Sequence, residues 1–444
     1  MRVAFFPYHG YGHMHPALGL ATPLRDRGHE ILVAGAAFFQ GYVKTLGFPY
    51  HPLKSVPFGM GFEYWVSEIQ KKKFPYWSCL YARLTDRLYA DREKELLQVL
   101  DTFRPDAVVL DCALATDFII LYPHLKSRGV RIAMFHAIFP SYILPGRPPV
   151  NSDVFPADEE GVEEAMENLE RKQHEKDKRQ KFKYFGFDDR YLIARRLRKN
   201  GVPEKYISTL PNLLNFSVDR IPQFICTPPE FDFPGFELPP SHHYIGFTRW
   251  TRTVTSSQEY TDRMATILKQ KDSQKAKLIY CAFGTLEADT KARVMRILLT
   301  LLATVKRTPH ILIVATKLKN DLPALPHNVH VFDFVPQVAL LPYADLFVSH
   351  GGFNSIVESI EAEVPLLLYP VHDDFDPRGN TTRVVYHGMG RRGSEDDSEA
   401  DMLEKITDLL ENGLYKACLR SMKQKNARYS HETFIDAFHP VLID

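Results

Sequence analysis

Short apolar runs alternate along this chain with longer stretches in which apolar residues recur every three or four positions. In the first half the runs are RVAFFPY (2–8), EILVAG (30–35), DAVVLD (106–111) and VRIAMFH (130–136). Each is apolar nearly throughout rather than alternating, which predicts parallel strands buried on both faces with helices between them. The same rhythm restarts with KLIYCAFGT (277–285), HILIVAT (310–316), VHVFDFVPQ (329–337), DLFVSHGG (345–352) and VPLLLYPV (364–371). The expected fold class is therefore α/β, in two doubly wound units.

Two tracts interrupt the pattern. Residues 157–200 are dense in charge, with DEEGVEEAMENLERKQHEKDKRQKF followed by RYLIARRLRKNG, and predict one or two surface helices inserted before the last strand of the first unit. The proline-rich CTPPEFDFPGFELPPSHHYIGF (226–247) predicts a stiff, extended connection between the units. The expected domains are 1–235 and 236–414, with 415–444 a closing pair of helices. Two such sheets would set the C-terminal ends of their strands, where open α/β sheets bind ligands, across a shared cleft.

Length and composition sharpen this picture only in part. A chain of 444 residues exceeds one ordinary core and also favours two domains. With 55 basic against 54 acidic side chains, a formal charge of +1 argues against a nucleic-acid partner. Five cysteines occur singly, which suggests neither a zinc framework nor a disulfide scaffold and fits a cytoplasmic setting. The apolar run before Pro7 is too short for a signal peptide, and no segment approaches the roughly 20 apolar residues of a membrane span.

Candidate chemistry gathers at two strand-to-helix turns. The first, HGYGHMHP (9–16), holds His9, His13 and His15 among glycines and admits a phosphate cradle, a metal site or a general base. The second, SHGGFNS (349–355), joins a buried strand to a helix, so backbone amides near Gly351, Gly352, Asn354 and Ser355 can hold an anion. His350 can donate a hydrogen bond to that anion, and Glu358, about one turn into the helix, offers a carboxylate to vicinal hydroxyls. A diphosphate carrying a ribose would satisfy this set. A dinucleotide-binding oxidoreductase does not fit the first turn, because His15 stands where GxGxxG needs its third glycine and no acidic residue ends EILVAG.

The stretch from Phe334 to Gly390 resembles the nucleotide-sugar signature of the UDP-glycosyltransferases, glycosyltransferase family 1, including plant secondary-product and bacterial macrolide-type enzymes. It has a PQ pair, HGGxNSxxE, VPxxxYP, and NxxRV followed by GxG. The resemblance implies a GT-B fold of two facing Rossmann-like domains, the N-terminal one holding the acceptor and the C-terminal one the donor, with helices of 415–444 packing back on the first. It places Gln337 on the uridine with Phe334 or Val335 beside the base, His350, Asn354 and Ser355 on the diphosphate, and Glu358 on the ribose. Gly12, Gly284 and Thr285, the last two in CAFGT, would also lie toward the donor. His13, three residues before Pro16 in the GHxxP motif, matches the family's general base, and Asp111 matches the carboxylate that orients it. The implied reaction is an inverting transfer of a hexose, with glucose as the first expectation, from a UDP-sugar to a hydroxyl of a small apolar acceptor.

One departure bears on the sugar. The family's acidic-Gln pair after the YP strand is replaced by YPVHDDFDPRGN, which lacks the glutamine. Counting from Pro370 puts Asp374 at the pair, and counting back from Asn380 puts Asp376 there; the second register keeps NTTRVV ungapped and is preferred. His372, Asp373, Asp374 and Asp376 also invite a metal, but the family works without one and neither metal nor cofactor is expected. Aromatic-rich segments 56–90 and 135–150 are expected to flank the acceptor, which suggests a flat or elongated apolar molecule. KKKFPYW (71–77) pairs lysines with aromatics as a membrane-interfacial segment does, although an acceptor loop with solvated lysines is the preferred reading. Two alternatives stay open, an enzyme for a lipid-like membrane acceptor and a catalytically silent nucleotide-sugar-binding protein.

Overall fold

The computed structural model describes residues 1–61, 71–248, 257–284, 290–372 and 376–443. The N-terminal half comprises β1 (Arg2–Phe6), α1 (Tyr11–Asp26), β2 (Glu30–Ala36), α2 (Gln40–Thr45), β3 (Tyr50–Leu53), α3 (Pro75–Leu84) and α4 (Arg87–Phe103). It continues with β4 (Ala107–Asp111), α5 (Ala115–Arg128), β5 (Arg131–His136), α6 (Glu159–Lys183), α7 (Asp189–Lys199), β6 (Gln223–Ile225) and β7 (His242–Tyr244). These strands form a seven-stranded parallel sheet in the order β3-β2-β1-β4-β5-β6-β7.

The C-terminal half runs α8 (Gln258–Gln274), β8 (Leu278–Ala282), α9 (Lys291–Val305), β9 (Ile311–Ala315), β10 (Val329–Phe332), α10 (Gln337–Leu340) and β11 (Leu346–Ser349). Then come α11 (Phe353–Ala362), β12 (Leu366–Leu368), α12 (Pro377–Tyr386), β13 (Gly390–Arg392), α13 (Glu399–Glu411), α14 (Leu414–Asn426) and α15 (His431–Ile443). Its six-stranded parallel sheet is ordered β10-β9-β8-β11-β12-β13. Helices cover both faces of both sheets, so strands such as Val3–Phe6 and Leu346–Ser349 are buried throughout and must be apolar on both sides.

The strand order reverses direction between β1 and β4 in the first sheet and between β8 and β11 in the second. At such switch points the connecting helices go to opposite faces and leave a crevice at the strand C-termini. The register pairs Phe6 with Leu110 and Ser349 with Ala282, so the two histidine-bearing turns each open on a switch point.

Two expected boundaries need correction. The first domain does not end at 235, because β7 pairs in register with β6, Gln223 beside His242, and completes the N-terminal sheet. The proline-rich run before it is not a free linker: Phe231 is buried with the C-terminal core, against Phe247 and Phe353. The closing helices also divide. Lys423 and Arg420 tie α14 to Glu361 and Glu363 at the end of α11, while only α15 crosses back, packing Phe434 and Phe438 on Phe224 of β6. The charged tract forms α6 and α7 before β6, as expected, and Val162 is the residue that α6 buries.

Candidate active site

His13 lies in the first turn of α1, directly after β1, and Asp111 closes β4 beside it. The Asp111 carboxylate is fully buried and accepts hydrogen bonds from the Tyr8 amide at 3.1 Å, the Ala113 amide at 2.9 Å and His13 Nδ1 at 2.9 Å. Burial alone would raise its pKa, but the His13 charge, the His13 hydrogen bond and the two amides outweigh burial and hold it low. For His13, burial opposes protonation, yet the Asp111 charge and hydrogen bond, with a further pull from Asp376, raise its pKa above the ordinary imidazole value. The His13 side chain remains 30% exposed, with Nδ1 committed to Asp111 and Nε2 the nitrogen left for a substrate.

The other two histidines of the turn serve elsewhere. Burial, followed by the charge of Arg92, pushes the pKa of His9 down to about 4, so it is neutral at neutral pH. His15 bonds Tyr42 Oη through Nε2 at 2.9 Å and meets Asn354 Nδ2 through Nδ1 at 3.2 Å. The three imidazoles are thus separately engaged, and among the described residues no three His, Cys, Asp or Glu side chains gather as a metal site. Gly12 is exposed at the start of α1, with open space where a side chain would project.

Across the cleft, the sharp turn after β11 wedges His350 between two glycine backbones. A Cβ at Gly352 would sit 2.6 Å from His350 Nε2, and one at Gly284 would sit 3.1 Å from its Cε1. Gly351 adopts φ +87° with Thr381 Oγ1 at its back, a conformation and a space closed to a side chain. Burial drives the pKa of His350 down to about 4, so it acts as a neutral hydrogen-bonding group, and its Nδ1 finds no partner among the described residues. Gly352 caps α11 without a side chain, leaving the first amides of that ten-residue helix open.

Gln337, Ser355 and Glu358, distant in sequence, meet as one network. Gln337 Nε2 donates to Glu358 Oε2 at 2.6 Å and Ser355 Oγ at 3.2 Å, while its Oε1 accepts from Tyr280 at 3.2 Å. Of the two candidates for the base platform, Phe334 is 54% exposed, whereas Val335 is packed in the core. The Asn354 amide reaches over to His15 and the Tyr11 carbonyl, and so joins the domains. Thr285 and Asp374 lie outside the described residues.

Asp376 stands at the N-terminus of α12 and accepts from Asn380 Nδ2 at 2.7 Å. Burial raises its pKa, partly offset by Asn380 and His13, so this carboxylate and the His13 imidazole sense one another across the cleft.

Motif reasoning missed the groups that lock the domains together. Asp232 accepts from Arg383 Nε at 2.9 Å and Nη2 at 2.8 Å and from Arg147, with all three side chains buried. Arg383 is charged in an otherwise buried face of α12, the one local signal that a carboxylate had to meet it. Segment 135–150, expected to flank the acceptor, also supplies part of this interface: Phe139 lies under Arg383 and the Val150 carbonyl abuts Gly379. A cavity of about 570 Å³ opens between α6, α7, Ile143 and residues 207–217, lined by Ile193, Leu197, Leu210, Leu214 and Phe216 on one side and Gln173 and Asp177 on the other. Asn212, Leu214 and Ser217 also line a small pocket with Cys112, so the inner end of the cavity approaches the β4 terminus.

Two facing parallel sheets with a ligand turn at each switch point define a GT-B architecture. The glycotransferase of kitacinnamycin superposes on it with a TM-score of 0.70, covering 99% of both chains at 18% identity. A spinosyn rhamnosyltransferase solved with thymidine diphosphate superposes at 0.63, over 100% of both chains at 14% identity. Residues 299–433 match the family model for the erythromycin biosynthesis protein CIII-like C-terminal domain. A zeaxanthin glucosyltransferase from Pantoea ananas is 29% identical over 191 residues, 41% of this chain and 40% of the relative, so the chain spans less than half the length of that relative. Together these likenesses indicate a glycosyltransferase related to the macrolide-type enzymes of UDP-glycosyltransferase family 1. Among the described residues no helix is long and apolar enough to cross a membrane.

Proposed function

We propose that this chain is a cytoplasmic, inverting glycosyltransferase that moves a hexose, glucose as first candidate, from a UDP-sugar to a hydroxyl of a small apolar or aromatic acceptor. The observation that carries this reading is the opposition of the His13–Asp111 pair at one switch point to the His350 turn and open α11 terminus at the other. Asp111 engages the Nδ1 proton, so Nε2 of neutral His13 accepts the proton of the acceptor hydroxyl. The hydroxyl oxygen attacks the anomeric carbon as the bond to the diphosphate breaks on the opposite face. The departing charge meets the α11 amides and neutral His350, which stabilise it without a metal. Activity unaffected by EDTA is the expected result, and loss of turnover restored by a divalent cation would contradict it.

Gln337 and Glu358 would read the pyrimidine edge and the ribose, with Phe334 beside the base and Asp376 near the sugar hydroxyls. Glu358→Ala is expected to weaken UDP binding about tenfold, or about 1.4 kcal/mol, since it removes the ribose acceptor and the anchor of Gln337. Calorimetric titration with UDP checks this, and an unchanged Kd would move the ribose elsewhere. The acceptor would enter the cavity beside α6 and α7, whose volume of about 570 Å³ suits a drug-sized apolar molecule.

The whole reading is tested by incubating the chain with UDP-glucose and TDP-glucose against a panel of phenolic, polyketide and terpenoid alcohols. Nucleotide release and a hexose-shifted product by mass spectrometry are expected for one donor. Tight donor binding with no product across the panel would instead mark a catalytically silent nucleotide-sugar-binding protein.

A further inference from the structure

We propose that the small polar pocket at the inner end of the cavity recognises a second hydroxyl of the acceptor, one that is not glycosylated, with His136 as the residue that selects for it. The inference rests on the reading that an acceptor enters this cavity. The pocket has a volume of about 10 Å³, the room a single water-sized group needs, and is lined by His136, Tyr142, Asn212, Ser217 and Gln223. Cys112, the residue after Asp111, closes it on the side of the catalytic pair. Asn212, Leu214 and Ser217 belong to both the pocket and the larger cavity, so a molecule held in the cavity can reach the pocket with one end.

Hydrogen bonding fixes the polarity of this pocket. His136 ends β5, one residue past Phe135, which pairs with Asp111, and it is only 5% exposed. Gln223 Nε2 donates to the Val218 carbonyl at 2.8 Å, which turns Gln223 Oε1 toward His136 Nε2 at 2.7 Å. An amide oxygen only accepts, so the ring proton of His136 sits on Nε2, and Nδ1 carries a bare lone pair. Burial lowers the pKa of His136 by more than Gln223 and the Asp111 charge raise it, so the ring is neutral at neutral pH. His136 Nδ1 is buried and has no donor among the described residues. Asn212 Oδ1 is in the same position, because Asn212 Nδ2 is the end that donates, to Ser217 Oγ at 2.9 Å and to the Leu210 carbonyl at 3.4 Å. The Tyr142 hydroxyl is engaged by His242 Nε2 at 2.9 Å.

Two buried acceptors that lack a donor select the group that fills the pocket. A hydroxyl donates to one of them and is small enough to enter. A methyl group would strand both lone pairs away from water, and a carbonyl or carboxylate would set lone pair against lone pair. An ammonium group donates, but among the described residues no carboxylate lines the pocket to balance its charge. His13 does not line the pocket either, so the hydroxyl read here is a different one from the hydroxyl that reacts. The acceptor class is therefore an apolar diol or diphenol.

The test is calorimetric titration of the full chain with two symmetric diphenols, diethylstilbestrol and bisphenol A, each against its donor-free dimethyl ether. The diphenols are expected to bind at least about tenfold more tightly than their ethers. His136→Phe keeps a ring and removes the lone pair, so it should narrow that ratio by about tenfold, with UDP affinity, which reads the other domain, as the folding control. Nitrogen NMR of isotope-labelled histidine in the unmutated chain gives a second measurement that needs no variant. The His136 Nδ1 resonance should shift on saturation with a diphenol and stay in place with its ether. A ratio that His136→Phe leaves unchanged, an unshifted Nδ1 resonance, or no binding of either diphenol would overturn the proposal, the last two leaving the pocket to a structural water only. Nucleotide release is scored separately. Turnover of monohydroxy alcohols as efficient as that of diols would overturn the pocket's role and leave the enzymatic reading standing. A ratio that narrows as expected without any nucleotide release would do the reverse.

Discussion

His13→Ala is expected to lower turnover by about 10³-fold while UDP affinity stays unchanged. The size follows from removing the one imidazole whose outward nitrogen faces the cleft while Asp111 fixes its tautomer. UDP affinity is insensitive because the nucleotide network of Gln337, Ser355 and Glu358 belongs to the other sheet. Single-turnover rates alongside UDP titration separate the two, and full turnover in the variant would remove His13 from the mechanism. The pH profile carries a second check. Because Asp111 raises the His13 pKa, the active, neutral base disappears as the pH falls through that raised value, and the rate falls with it. Asp111→Asn deletes the charge that outweighs burial, so the acid limb of the profile should move to lower pH even as the maximum rate drops. The same pairing contributes to stability. The part belonging to His13 is present below its unfolded pKa and fades as pH rises through the folded value. The part belonging to Asp111 is present above its unfolded pKa and fades as pH falls through its lowered one.

Asp232→Ala is expected to cost about 3–5 kcal/mol of stability, the largest loss foreseen for a single residue outside the catalytic pair. Arg383 and Arg147 both end on this one carboxylate in a buried interface, and Arg147 Nη1 has no other partner among the described residues. Removing Asp232 leaves two guanidinium groups buried together with no counter-charge. The rings of Phe139 and Phe233, 4.6 and 4.5 Å from Arg383, cannot replace it. Urea unfolding measures the loss, and a change within about 0.5 kcal/mol would show that water already reaches the cluster. Replacing Asp232 and Arg383 together by leucine and methionine should cost less than Asp232→Ala alone, since it withdraws a charge with its partner. Weaker UDP binding should accompany Asp232→Ala, because α12 carries Arg383 in its middle and Asp376 at its start.

The parts legible in the sequence were those whose partners lie close along the chain or whose environment forces one residue type. Strands such as Ala107–Asp111 and Leu346–Ser349 are buried on both faces, so their runs are apolar throughout and stand out. Gly351 and Gly352 are required by a left-handed turn and by the ring of His350, so a short contiguous motif records them. Strands β6 and β7 are three residues each and contain Gln223, His242 and His243, so no apolar run announced them. Their place at the sheet edge follows from pairing with β5, and this is why the boundary at 235 fell short.

The sequence by itself determined two α/β units, a histidine followed by a strand-end carboxylate in one, and an anion-holding turn in the other. It did so because periodicity and turn chemistry act within a few residues. Only the tertiary structure decided which groups meet across the cleft. Asn354 finds His15 at a separation of 339 residues, and Arg383 finds Asp232 at 151. It also decided that Val335 is packed in the core while Phe334 is exposed, and that the cavity lies beside α6 and α7 with Ile143 of segment 135–150 in its lining. Such contacts are set by how two open sheets and their helices pack together, and local patterning carries no record of the loops that must close first.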